Sequence, residues 1–141
     1  MSPRRDLARL RALQPAERKL LVRALLLLPA YALSVRLGGL RRSKGWFARM
    51  DAIEGATPAQ AARLVAAVAR RAPQAGCLPA ALTLQRMLAA QGVDSQLRLG
   101  VRTVAGRLEA HAWLERAGDA LIDTRAAEER FEVLEPVGTA R

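Results

Sequence analysis

The hydrophobic period of this chain changes once. Up to residue 92 the apolar residues recur three or four apart; from residue 96 they alternate with polar ones. A period near 3.6 belongs to helices and a period of two to half-buried strands. The chain therefore reads as helices first and an antiparallel sheet afterwards, the α+β class. Its 141 residues make one domain's worth of sequence. Aromatics are 4% of the composition, so the core has to be built from Leu, Ala and Val.

Residues 6–13 predict a short basic helix that stops before Pro15. Leu20, Leu21, Ala24, Leu25 and Leu28 predict a second helix over 16–28, which Pro29 should kink or break. Gly38-Gly39 and Gly45 punctuate the next stretch, and Trp46, Phe47 and Met50 form an apolar patch suited to a short helix. Thr57-Pro58 is an N-cap followed by proline at the first helical position. Ala61, Leu64, Val65, Val68 and Ala69 stripe that helix, which should end near Ala72, before Pro73. After a short loop at Gln74-Ala75-Gly76, Cys77 opens a helix carrying Leu78, Leu82, Leu84, Leu88 and Ala89 and closing at Gly92. Residues 96–102 and 108–115 alternate as strands, Ala117-Gly118-Asp119 turns, 120–123 returns, and 131–134 adds an edge strand.

The charge is lopsided. Residues 1–49 hold 12 Lys/Arg against 2 Asp/Glu, whereas residues 50–141 hold 11 of each sign, so the whole net charge of +10 sits in the first third. This divides the chain into a basic helical N-terminal segment, 1–49, and a neutral body, 50–141. It points to an anionic partner docking near the N-terminus. The longest uncharged stretch, Ala24 to Val35, is 12 residues interrupted by Pro29. A spanning helix needs about 20, so the reading is of no membrane span and a cytoplasmic protein.

Side chains able to do chemistry are few. One cysteine excludes an internal disulfide and any zinc site with two Cys ligands, and one histidine excludes a paired-histidine metalloprotease helix. Gly38-Gly39 and Gly100 lack the Lys-Ser/Thr of a phosphate-binding loop. No cofactor is implied. Cys77 stands at a helix N-terminus, where unpaired N–H groups and aligned peptide dipoles face the sulfur. His111 shares a strand face with Glu109, Trp113 and Glu115, while Leu108, Ala110, Ala112 and Leu114 should face the core. If Arg116, Ala117 and Gly118 form a three-residue hairpin loop, position 111 faces Asp123, and a carboxylate beside an imidazole fixes its tautomer. Each residue also has a plainer reading: Cys77 as a small apolar filler, His111 as a structural histidine, Asp123 as an end-of-strand carboxylate.

Gly76-Cys77, the run Ala81-x-x-Leu84-x-x-Met87-Leu88-x-x-x-Gly92-Val93, His111-Ala112-Trp113-Leu114-Glu115 and Asp123 together resemble the transglutaminase-like cysteine protease superfamily. Within it, Cys77-Leu78-Pro79, Leu82 to Leu88, Leu97 to Val101 and Ala110 to Trp113 resemble the leader peptidases of lasso-peptide biosynthesis. Members often carry Arg-Ser after Cys-Leu-Pro, where this chain has Ala80-Ala81. The resemblance implies a papain-like core, its nucleophile at a helix N-terminus packed on a small antiparallel sheet. It implies Cys77 as nucleophile, His111 as general base and later acid, and Asp123 as the orienting carboxylate. The backbone N–H of Cys77 is a candidate donor to the oxyanion, and Gln74 a second. The substrate would be the leader of a ribosomally made precursor peptide, gripped by a separate leader-recognition protein. The freed core would pass to an ATP-dependent lasso cyclase that closes a macrolactam. Two other readings stay open: a transglutaminase-like acyl transferase on the same three residues, and a non-catalytic nucleic-acid or membrane-surface adaptor using residues 1–49. The low aromatic count and neutral body weigh against nucleic acid.

Overall fold

Helices occupy the first two thirds of the chain and a small sheet the rest, as the change of period predicts. The computed structural model describes residues 3–45, 50–121 and 131–134, with side chains left aside at 40–45. Four α-helices, α1 (Pro3–Ala12), α2 (Pro15–Gly45), α3 (Pro58–Arg71) and α4 (Cys77–Ala90), precede strands β1 (Gln96–Val104), β2 (Arg107–Arg116), β3 (Asp119–Ala120) and β4 (Glu132–Val133). The sheet is antiparallel throughout, in the order β3-β2-β1-β4. The apolar patch expected at Trp46 and Phe47 lies outside the described residues; Met50 is partly buried.

Pro29 neither breaks nor ends α2, which runs through it; the non-helical residue is Gly39, at φ 71° and ψ −178°. A proline in a helix interior removes one hydrogen bond to the carbonyl four residues earlier. Here both Pro29 and Leu25, which carries that carbonyl, are exposed, so water can take the missing donor's place. Leu20, Ala24, Leu27, Leu28 and Tyr31, on both sides of the proline, are buried against the other helices. That packing, and not local propensity, holds α2 together. One hydrophobic core takes in these α2 residues, Leu64, Val65 and Val68 of α3, Leu82, Leu84, Met87 and Leu88 of α4, and Leu97 and Leu114 of the sheet. The described part of α2 thus shares its core with the helices and strands that follow.

The helix ends are held by side-chain and backbone hydrogen bonds. Thr57 and Gln60 form a reciprocal capping box at the start of α3. At the end of α4, Val93 N–H donates to Leu88 O (2.9 Å) and Gly92 N–H to Ala89 O (3.0 Å), with Gly92 at φ 73°. These are the paired bonds of a Schellman motif, which calls for a left-handed residue where Gly92 stands. The Gln91 side chain then reaches back to the loop before α3: its amide oxygen accepts from Ile53 N–H, and its amide nitrogen donates to Ile53 O at 2.8 Å. At the start of α2, Glu17 accepts from Gln14 N–H at 3.0 Å and pairs with Arg63 of α3. Its pKa is lowered, chiefly by that backbone hydrogen bond and then by the Arg63 guanidinium, against the opposing effect of burial.

Both hairpins turn on a two-residue Ala-Gly with positive φ at each position: Ala105-Gly106 (49° and 76°) and Ala117-Gly118 (52° and 86°). This is the backbone of the tight turn that matches strand twist. The second turn corrects the expected register. Its loop holds two residues instead of three, and Glu115 faces Ala120 while Arg116 faces Asp119.

The assignment of faces along β2 also needs correcting at one end. Ala112 and Leu114 are buried as expected, but Leu108, 72% exposed, and Ala110 are not. Thr103 and Val104, at the matching end of β1, are exposed too. Among the described residues, the whole hairpin tip from Thr103 to Ala110 is exposed.

Candidate active site

The nucleophile's position is set by the backbone around it. Pro73–Ala75 form a single 3-10 turn, and Gly76 then swings the chain into α4 at φ 89° and ψ 172°. That conformation is essentially confined to glycine. A Cβ on Gly76 would find its nearest neighbour 3.9 Å away, so backbone conformation and not crowding calls for glycine there. Cys77 comes next as the first residue of α4, exposed to solvent.

Its Sγ accepts a hydrogen bond from the backbone N–H of Ala112 at 3.4 Å. Leu121 N–H donates to Leu114 O (2.8 Å), so the main-chain polar groups of Leu114 point to the β3 side of β2. Ala112, two residues away, points the same way. The sulfur therefore takes a place on the strand edge that a ladder partner would otherwise occupy, and the N–H aims its positive end at the reacting atom.

The residue before Ala112 is His111, half-buried on the opposite face of β2. Its imidazole stacks on Trp113 (centroids 6.0 Å apart, planes at 18°) and meets Phe131 at 5.2 Å. Across the strands it faces Gly100. A Cβ at position 100 would lie 2.7 Å from Phe131 Cβ and 2.8 Å from the Trp113 ring, so only glycine leaves room for the two aromatics. Trp113 Nε1–H donates to Glu115 Oε1 at 2.9 Å. Two cross-strand ion pairs, Arg98–Glu115 (3.1 Å) and Arg102–Glu109 (2.7 Å), flank the cluster, and Arg102 lies 4.8 Å over the Phe131 ring.

Cys77 and Trp113 both open onto a cleft of about 450 Å³ between α3, the 3-10 turn, α4 and β2. Small side chains line most of it: Ala66, Ala69, Ala72, Ala80, Ala81 and Ala112. Arg70 is its one charged lining residue among those described. The neighbouring arginines of α3 are engaged, Arg63 by Glu17 and Arg71 by Asp6 at 3.3 Å, whereas no carboxylate pairs with Arg70 among the described residues. Among those residues no cluster suited to a metal ion occurs.

Of the three residues singled out from sequence, Cys77 has its sulfur on the backbone amide that follows His111, while the His111 ring packs with Trp113 and Phe131 on the other face of β2. Asp123 lies outside the described residues. The two-residue turn pairs Glu115 with Ala120 and Arg116 with Asp119, and the expected pairing of Asp123 with His111 lies outside the described residues. Gln74, the second oxyanion candidate, is exposed in the 3-10 turn, its carbonyl accepting from Arg36 at 3.4 Å. Sequence reasoning missed Arg70 and the aromatic seat of His111. A glycine inside an alternating strand marks close approach, so Gly100 was a readable signal for the second.

A family model described as the transglutaminase-like superfamily matches residues 19–135. No curated protein and no solved structure matches the chain.

Proposed function

The chain belongs to the transglutaminase-like superfamily, whose members are commonly cysteine-dependent enzymes of the protease and acyl-transfer type, and on that premise we propose that it is a cysteine peptidase removing the leader from a lasso-peptide precursor. The observation that carries the reading is the exposed Cys77 at the start of α4, in the cleft, with Ala112 N–H on its sulfur and His111 next along the strand. The specific substrate rests on the resemblance of residues 76–123 to the leader peptidases.

In this reading the Cys77 thiolate attacks the carbonyl carbon of the bond joining leader to core. The C–N bond breaks, His111 supplies the proton to the departing amine, and the leader stays on sulfur as a thioester. Backbone N–H groups at the start of α4, that of Cys77 first, stabilise the oxyanion. Water activated by His111 then releases the leader as a free acid. Asp123 orients the imidazole, a role resting on the resemblance alone. A separate leader-recognition protein presents the precursor, docking on the basic residues Arg41, Arg42 and Lys44, and an ATP-dependent cyclase takes the core.

The test incubates precursor peptide and recognition protein with this chain and monitors products by mass spectrometry. A leader ending in a free carboxylate is expected from the parent, and no cleavage from Cys77→Ala. Normal cleavage by that variant removes the cysteine mechanism. A leader captured as an amide when a primary amine is added, with no free acid, moves the reading to acyl transfer.

A further inference from the structure

The solvent face of α2 has no role in the cleft. Val22, Leu25, Leu26, Leu33 and Leu37 are each more than half exposed, Leu26 at 67% and Leu37 at 70%. Val22, Leu26, Leu33 and Leu37 succeed one another at four, seven and four residues, which is one stripe of a helix. From Pro15 to Gly39 the helix is apolar enough that an 18-residue window has mean hydropathy 1.8, with a third of that window buried. By length and composition it could cross a membrane. Its other face, however, is built into the core through Leu20, Ala24, Leu27, Leu28 and Tyr31. What is left over is a one-sided apolar surface.

The ends of this stripe are cationic. Arg18, Lys19 and Arg23, with Val22 and Ile53, line a hollow of about 350 Å³ at its N-terminal end. Val22 belongs to both hollow and stripe. Arg36 is exposed at the other end, beside Leu37. The two acidic residues of the basic segment are already consumed, Glu17 by Arg63 and Asp6 by Arg71, so neither offsets these cations. An apolar helix face rimmed by cations matches the boundary between acyl chains and anionic headgroups.

We propose that α2 docks this protein on the surface of an anionic phospholipid bilayer, with Val22, Leu26, Leu33 and Leu37 dipping below the headgroups and the Arg18–Lys19–Arg23 hollow taking a phosphate. A bilayer fits this surface because it pairs an apolar stripe with cations, and acyl chains beneath anionic headgroups offer both complements at once. The helix lies in the surface plane without spanning, since its core-facing side chains stay buried in the protein. This docking does not rest on the peptidase reading and uses neither Cys77 nor His111.

The full-length protein is sedimented with vesicles of phosphatidylglycerol and phosphatidylcholine in equal parts, and with vesicles of phosphatidylcholine alone. At 0.1 M salt binding to the anionic vesicles should be at least tenfold the stronger, because each cation near an anionic surface adds about a factor of five. Binding should weaken at 0.5 M salt. Leu26→Glu/Leu33→Glu and Arg18→Glu/Arg23→Glu should each lose at least tenfold. All four side chains are solvent-facing or line the hollow, and unchanged far-UV circular dichroism and iodoacetamide labelling of Cys77 report that the fold survives. Equal binding to both vesicle types, no binding to either, or parental binding by the stripe variant overturns the proposal. So does a concentration-dependent dimer that the stripe variant abolishes while vesicles go unbound; the face would then pair with a second copy.

Discussion

Replacing Gly100 by alanine should damage the strand face that holds His111. The added Cβ would meet Phe131 Cβ at 2.7 Å and the Trp113 ring at 2.8 and 2.9 Å, separations inside van der Waals contact. The Phe131 Cβ moves only if its backbone moves, and the Trp113 ring is buried. Overpacking of this kind costs about 1–3 kcal/mol. Gly100 does not have positive φ, so alanine also gains about 0.4–1 kcal/mol by restricting the unfolded chain. Because the clash involves backbone and a buried ring, the cost falls in the upper part of the overpacking range, about 2–3 kcal/mol, and the net expectation is a loss of about 1–2.6 kcal/mol. With a urea m-value of about 2 kcal/mol/M, the unfolding midpoint should fall by about 0.5–1.3 M. The chain has one histidine, so proton NMR reads its ring directly. Packed against both Trp113 and Phe131, its Hε1 resonance should be ring-current shifted in the parent and move toward the random-coil position in the variant. Leader cleavage should slow while iodoacetamide still labels Cys77, which stands off this face. An unchanged midpoint would refute the packing argument. A lowered midpoint with an unmoved His111 resonance and full cleavage would refute the claim that the aromatics position the imidazole.

Ala117→Asn should stabilise the protein by up to about 1 kcal/mol, because an ordinary side chain at φ 52° is strained and asparagine tolerates that region; thermal unfolding checks it, and a lowered midpoint counts against the turn geometry. The lowered pKa of Glu17 makes its contribution complete above the ordinary carboxylate value of 4.5 and lost as the pH falls below that toward the folded-state pKa. Glu17→Gln should therefore flatten the acid limb of the stability–pH curve while lowering the plateau at neutral pH, and an acid limb as steep as the parent's would show that other carboxylates govern it.

Much of this fold is legible in the sequence because its signals are local. The capped start of α3 at Thr57-Pro58, the Gly92 stop of α4 and the alternation along β1 and β2 each depend on a few neighbouring residues, and all appear where expected. The misreadings have tertiary causes. Pro29 should end a helix, yet α2 survives because packing on both sides outweighs one lost hydrogen bond. The hairpin register slipped by one because alanine does not advertise positive φ as Asn-Gly or Asp-Gly would. Cys77 and His111 could be named from wording alone. The Ala112 amide on the sulfur and the arginine in the cleft could not, since both depend on how α3, α4 and β2 meet.

The Gln91 side chain also has a consequence for the order in which the chain organises itself. Its primary amide mimics a peptide group, pairing with both the N–H and the C=O of Ile53, 38 residues away. Closing a loop of that size costs only slightly more than closing a short one, since the entropy grows with the logarithm of length. The latch thus fastens the loop before α3 to the end of α4 without waiting for any strand. With α2 packed on both helices, residues 53–91 can assemble as part of one cooperative helical unit, and the β1–β2 hairpin can add to it afterwards. Native-state hydrogen exchange should then show the amides of α3 and α4 opening together, with one free energy, above that of the sheet's edges; amides of the two helices exchanging with clearly different free energies would break the unit apart.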